Sequence, residues 1–211
     1  MAQFFSIHPK NPQPRLIRHA VEIVRAGGLI VYPTDSCFAL GCHVGDKAAT
    51  QRIRAIRQVD AGHHFTLVCR DLAEAATYAR IDDAQFRLIK GALSGSYTFI
   101  LKATREVPRR LQHPRRKTIG VRFPAHPVAR ALLRELGEPL LSSTLLLPGE
   151  EVPLSDAHEI RERLEHRVDL VIDAGPCDVV PSTVVDMTDE APVIVRRGRD
   201  AERLLGEPVG A

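Results

Sequence analysis

Several short polar segments of this chain carry side chains able to hold an anion, an amino acid or a nucleotide. Pro33-Thr34-Asp35-Ser36 puts hydroxyls and a carboxylate directly after the apolar run Leu29–Tyr32. Such groups at a strand end can hold an amino-acid or ribose group, although the same residue types also make plain turns. Gly95-Ser96-Tyr97-Thr98 leads into a second apolar run. Thr118-Ile119-Gly120-Val121-Arg122, followed by Phe123-Pro124-Ala125-His126-Pro127, aims a guanidinium from a strand end beside the start of a helix. That combination favours anions. Ser142-Ser143-Thr144, Pro181-Ser182-Thr183-Val184-Val185-Asp186 and Val195-Arg196-Arg197-Gly198 add further hydroxyls and guanidiniums. Each segment is weak singly; their order along the chain carries the information.

Other chemistries lack their signatures. There is no Gly-x-x-x-x-Gly-Lys-Ser/Thr, no Gly-x-Gly-x-x-Gly after a strand, no Gly-x-Ser-x-Gly and no His-Glu-x-x-His. This argues against P-loop hydrolases, classical dinucleotide enzymes and zinc proteases. Cys37, Cys42, Cys69 and Cys177 form no Cys-x-x-Cys pair and lie in or near apolar runs, so they read as buried free thiols in a reducing compartment. His63-His64 reads as a surface pair, and no protein-bound metal is expected.

The charge balance is mild, with 29 Lys and Arg against 26 acids and a formal net charge of +3. Its distribution is not. Arg105, Arg109, Arg110, Arg115, Arg116, Lys117 and Arg122 crowd one stretch that contains a single acid, Glu106. Phosphate groups are the usual partners of such a cluster, and a solvated basic loop is the ordinary alternative. No apolar run approaches the ~20 residues that span a bilayer, and the N-terminal residues lack the order of a signal peptide. A cytoplasmic location is expected.

The elements that must position these groups follow from period and punctuation. Helices are predicted over 15–26, after Asp46, after an Asp71/Glu74 capping box, over 82–91, from Pro127 to Leu136 with Gly137 as the stop, and from Asp156 to about 166. Strands are predicted at 29–32, 65–69, 97–103, 118–122, 139–143, 168–172, 182–187 and 193–196. Strands and helices mix without strict alternation. This implies one α/β domain over 10–200, a twisted open mixed sheet with flanking helices, and a loosely attached tail at 201–211.

In their order and spacing, Pro-Thr-Asp-Ser, Ser-Gly-x-Tyr-Thr, Val-Arg-x-Pro-x-His-Pro, Ser-Thr-Val-Val-Asp and the late Arg-x-Gly resemble the YrdC/YciO family, from about residue 15 to about 200. The opening Gln-Phe-Phe-x-Ile-His-Pro and the Pro-Arg-Arg before the basic loop look most like its YciO branch. The resemblance implies an open α/β sheet with a positively charged concave face. It also implies threonylcarbamoyl-AMP synthesis from L-threonine, bicarbonate and ATP for tRNA threonylcarbamoyladenosine, and binding of double-stranded RNA. It assigns Thr34, Arg122 and Ser182 to a threonine pocket and Ser143 and Arg196 to the nucleotide, with Arg57 standing in for a family lysine. Magnesium is expected with the ATP. Arg105, Arg109, Arg110, Arg115, Arg116 and Lys117 are the candidate contacts for double-stranded RNA or tRNA.

The chain departs from the synthase pattern twice. Val59 stands where the synthases carry an arginine, and Leu145 where they carry an asparagine amide. Both changes fall on the part that should grip ATP. Two readings therefore stand: an ATP-dependent threonylcarbamoyl-AMP synthase, and a non-catalytic double-stranded RNA- or tRNA-binding protein with a degenerate ATP site. On the first, Leu145→Asn with Val59→Arg is expected to restore donors to the triphosphate.

Overall fold

The computed structural model describes residues 1–60, 63 and 65–205, with the backbone alone at 205. One sheet organises the chain: β1 (Gln3–Ser6), β2 (Ile30–Tyr32), β3 (Ala39–His43), β4 (Thr66–Val68), β5 (Tyr97–Lys102), β6 (Thr118–Arg122), β7 (Leu140–Thr144), β8 (Leu170–Asp173), β9 (Thr183–Asp186) and β10 (Val193–Arg196). They lie in the order β1-β8-β2-β3-β7-β4-β6-β5-β9-β10, with parallel and antiparallel pairs mixed. This is the mixed α/β architecture that the element order implies. The helices are α1 (Pro14–Arg25), α2 (Lys47–Arg57), α3 (Leu72–Tyr78), α4 (Asp83–Ala92), α5 (Pro127–Leu136), α6 (Ala157–Leu164) and α7 (Ala201–Leu205). None among the described residues is long and apolar enough to cross a membrane.

Local chemistry sets most helix ends. Pro14 and Pro127 occupy first turns, where a missing N–H costs nothing. Asp46, Asp82 and Asp156 accept from backbone N–H groups of the turns they open. Gly137 stops α5 in the left-handed region at φ 77°. The box expected at Asp71 and Glu74 closes differently. Asp71 accepts from Glu74 N, but the Glu74 carboxylate passes Asp71 and accepts from Arg70 N and Nε.

β1 and β3 are absent from the sequence-based prediction. β1 lies ahead of residue 10 and pairs in parallel with β8. β3 sits mid-sheet between β2 and β7. At the other end, Ala201 is buried at the start of α7, while 206–211 lie outside the described residues.

Alternation along the strands makes two cores, one on each face of the sheet. Leu29, Val31, Leu40, Leu67, Phe99, Val121 and Leu141 pack under α2 and α6. Ile30, Tyr32, Ala39, Val68, Leu140, Leu170 and Ile172 pack under α1 and α5. These latter helices cover only the part of their face from β1 to the Val68 end of β4. Beyond it, Thr66, Gly120, Arg122, Thr98, Ile100 and Val184 carry the same alternation onto an uncovered floor. Gly120 keeps that floor low, since a Cβ there would come within 2.8 Å of Thr66 Oγ1 and 3.1 Å of the Phe65 carbonyl.

Leu145 belongs to the core under α2 and α6, fully buried, with its N–H donating to the Phe38 carbonyl at 2.9 Å. Its side chain points away from the uncovered floor. Leu145→Asn is therefore expected to bury an amide in an apolar core and lower stability by about 2–4 kcal/mol rather than add a ligand donor. A fall in the urea midpoint, with Thr144→Asn near neutral, checks this.

Candidate functional site

The uncovered floor is the base of a cavity of about 660 Å³. Its polar groups come from seven strands or strand ends that are far apart in sequence, and from the end of α2, and register brings the strands together. Thr98 on β5 lies opposite Arg122 on β6, and Thr66 on β4 opposite Ser142 on β7. Thr34, Arg57, Arg122, Ser143, Ser182 and Arg196 all line it.

Arg122 is the centre of one end. It is 7% exposed, and burying a charge demands both a counter-charge and hydrogen bonds. Its Nη2 lies 2.9 Å from Ser36 Oγ, 3.0 Å from Ser96 Oγ and 3.0 Å from Asp35 Oδ2, with Thr34 Oγ1 at 3.4 Å. Asp35 also accepts from Ala125 N at 3.1 Å, tying the 33–37 turn to the loop before α5. Arg122 Nε is buried with no hydrogen-bond partner among the described residues. Burial alone would raise the Asp35 carboxyl, but the Arg122 guanidinium, helped by Ser96 and the backbone, holds it below the usual carboxylate range. Thr34 does close a turn, donating to the Cys37 carbonyl at 2.6 Å and accepting from Ser36 N at 3.2 Å. The turn and the cavity wall are the same residues.

Next to Arg122, Thr98 Oγ1 and Ser182 Oγ lie 2.9 Å apart. Arg196 donates to the Ser182 carbonyl at 2.8 Å from Nη2 and 3.3 Å from Nε. At the other end, Arg57 Nη1 donates to Ser143 Oγ and to the Thr144 carbonyl, both at 2.7 Å, and its Nε is buried without a partner among the described residues. Burial first, and then the nearby charge of Arg196, press the Arg57 guanidinium below arginine's ordinary value. It stays a cation. His63, read from the sequence as a surface residue, instead lines the cavity with Nε2 3.1 Å from Ser143 Oγ. His64 lies outside the described residues.

Apart from Arg122, the basic stretch does not line this cavity. Arg122 and Thr118 sit at opposite ends of β6, about 13 Å apart at ~3.3 Å per residue, and the 103–117 loop leaves from the Thr118 end. There Arg110 donates to the Val44 and Gly45 carbonyls, and Arg116 pairs with the buried Asp186 at 2.7 Å. Lys117 donates to the Pro114 carbonyl at 2.8 Å. Arg105, Arg109 and Arg115 are exposed and carry no hydrogen bond or ion pair among the described residues.

The start of α5 is capped by its own His126, whose Nδ1 accepts from Val128 N. The cysteines are free, with three buried and Cys177 half-buried. Burial pushes Cys37 up to about 11 and Cys42 and Cys177 up to about 12, so none offers a thiolate near neutrality. Among the described residues no cluster of three or more His, Cys, Asp or Glu could hold a metal ion.

Residues 22–198 match the family described as Sua5/YciO/YrdC, telomere recombination. The chain belongs to that family. It is 59% identical over 198 residues to "Uncharacterized protein YciO" of Escherichia coli K12, covering 94% of this chain and 96% of that one. The crystal structure of E. coli YciO superposes with a TM-score of 0.91 over the same shares. A threonylcarbamoyl-AMP synthase of Nitrosococcus oceani is 32% identical over 170 residues, 77% of this chain and 91% of that one. The Pyrococcus abyssi Sua5 structure complexed with L-threonine matches at 27% identity and a TM-score of 0.86, over 97% of this chain and 61% of that one.

Asp35→Asn should destabilise the fold by about 3 kcal/mol at neutral pH, because it leaves the buried Arg122 charge without its counter-charge. The gap to the wild type should narrow as pH falls below about 4. A carboxyl whose folded pKa is depressed contributes stability above its unfolded pKa and loses it as pH drops through the folded value. Denaturant unfolding of both proteins across that range tests the sign, and a pH-independent gap would show that Asp35 does not act through its charge.

Proposed function

We propose that the concave face binds L-threonine and ATP and forms threonylcarbamoyl-AMP from L-threonine, bicarbonate and ATP, for threonylcarbamoyladenosine on tRNA. The observation that carries this reading is the buried Arg122 guanidinium, which lines a cavity edged by hydroxyls and whose hydrogen bonds among the described residues all fall on Nη2. A carboxylate is the group that such a site accepts, since a guanidinium fork matches its two oxygens. Thr98 and Ser182 offer hydroxyls to the rest of an amino acid, and Thr34 closes the wall. Arg57, Ser143 and Arg196 supply the donors suited to phosphates. In the reaction the threonine nitrogen adds to bicarbonate with loss of water, the carbamate oxygen displaces diphosphate from the α-phosphorus, and cations are needed where charge builds up. Magnesium accompanies ATP as the counter-ion of its phosphates. The Sua5 structure with L-threonine and the threonylcarbamoyl-AMP synthase relatives support this reading.

The departures bear on turnover. Leu145 cannot be made a ligand donor without disturbing the core, and Val59 is half-buried beyond the left-handed end of α2 at Gln58. A protein that binds threonine and ATP but makes no product would fit the non-catalytic alternative. That second reading rests on Arg105, Arg109 and Arg115, exposed and unpaired cations on one loop suited to the phosphates of double-stranded RNA or tRNA.

Incubation with ATP, bicarbonate and L-threonine should yield threonylcarbamoyl-AMP and diphosphate. Ser182→Ala should weaken threonine binding on the order of fivefold, the share of one hydrogen bond of ~1 kcal/mol. Intact threonine affinity in that variant would remove Ser182 from the pocket. For RNA, log–log plots of affinity against salt should have a slope of roughly −0.7 to −0.9 per neutralised phosphate. Charge reversal at Arg105, Arg109 and Arg115 together should flatten that slope. Arg110 and Arg116 are poor choices because their loss would loosen the loop itself. An unchanged slope would exclude the loop as the RNA contact.

A further inference from the structure

His63 is the cavity residue that the sequence signals do not explain. Its backbone N–H donates to the Asp60 carbonyl at 3.3 Å, and its ring meets the fully buried Phe65 edge-on, centroids 5.4 Å apart at 89°. Phe65 is anchored in the core, so this contact fixes the direction of the imidazole. Nε2 then lies 3.1 Å from Ser143 Oγ, the same oxygen that accepts from Arg57 at 2.7 Å. An imidazole, a guanidinium and a hydroxyl thus meet at one spot on the cavity wall.

Among the described residues, three guanidiniums and two carboxylates surround the ring. Arg57 on α2 shares Ser143 with it, and Arg196 on β10 and the exposed Glu151 line the same cavity. Arg54 lies across the Phe65 ring, 4.8 Å from its centroid, and Asp60 precedes the loop. Arg57 and Arg196 oppose a further positive charge at this spot. Phosphate oxygens placed among these donors reverse that balance and favour an imidazolium.

We propose that His63 is a phosphate-binding residue of this cavity, so that binding of a triphosphate draws a proton onto its imidazole. The proposal rests on the reading that the cavity takes a nucleotide. It makes nucleotide affinity depend on pH.

The test is isothermal titration calorimetry of the full chain with ATP and, separately, with inorganic triphosphate, at fixed magnesium. Buffers of different ionisation enthalpy report proton uptake, measured at about pH 6 and about pH 8.5, either side of the ordinary imidazole pKa of ~6.5. Wild type should bind more tightly at the lower pH relative to the variants and take up protons as the pH rises through that range. The titration of the terminal phosphate itself, near pH ~6, is common to all the proteins and cancels in the comparison. His63→Gln should lose at least about tenfold in affinity at the lower pH, the loss of one charged hydrogen bond, with a smaller loss at the higher pH and no protein-linked uptake. His63→Lys should keep affinity at both. Thermal melts verify that the variants fold. Equal affinity and equal proton uptake in wild type and His63→Gln overturn the inference while leaving the nucleotide reading intact. Failure of both ATP and triphosphate to bind wild type overturns both.

Discussion

A buried guanidinium is the constraint around which this fold is arranged. Arg122 ends β6 inside the protein, and an isolated charge there would be far too costly. The 33–37 turn answers that need with Asp35 and Ser36, and the entry to β5 answers it with Ser96. Asp35 in turn holds the loop that leads into α5 through Ala125 N. Segments from the first third and the middle of the chain are thereby locked to one side chain. The same demand leaves a remainder: the hydrogen bonds among the described residues all fall on Nη2, and the floor beside the guanidinium is open. A site that is neutralised on one side and unsatisfied on the other is prepared for a ligand that brings its own oxygens.

The sheet makes room for that ligand by being covered unevenly. Its alternation is continuous from β2 to β9, so the face that packs under α1 and α5 at one end runs on as cavity floor at the other. Where helices cover the face its residues are Ile30, Leu140 and Ile172; where they stop, the same positions become Thr66, Thr98 and Arg122. The opposite face is largely apolar and packs against α2 and α6. Stability is drawn from the continuous core and chemistry from the half-covered face, so polar floor residues need not interrupt the packing.

Positive charge is divided between two places with different physics. In the cavity, Arg57, Arg122 and Arg196 are held by neighbouring oxygens and act at short range. On the 103–117 loop the cations are exposed, and salt screens them beyond about 10 Å at ordinary ionic strength. Arg116 anchors that loop to Asp186 on β9, which leaves Arg105, Arg109 and Arg115 as its outward charge. The two sets lie at opposite ends of the β5–β6 hairpin.

Much of this was legible from sequence because it is local. Pro127 and Gly137 bounded α5, Asp46 and Asp156 opened their helices, and β6 matched its predicted span. Thr34, Arg122 and Ser182 are assigned to one pocket through the family resemblance of the strand-end segments that carry them, and all three line one cavity. The sequence could not reveal β3, since Ala39–His43 holds a glycine and a histidine and is a strand only because β2 and β7 pair with it on either side. Nor could it tell that the basic stretch lies beyond the far end of β6, that Leu145 points into the core, or that His63 reaches Ser143. Each of these depends on the face or the end of a strand on which a residue falls. A side-chain period of two sends neighbouring residues to opposite faces, so the side taken is decided by non-local pairing and by which half of the sheet the helices cover.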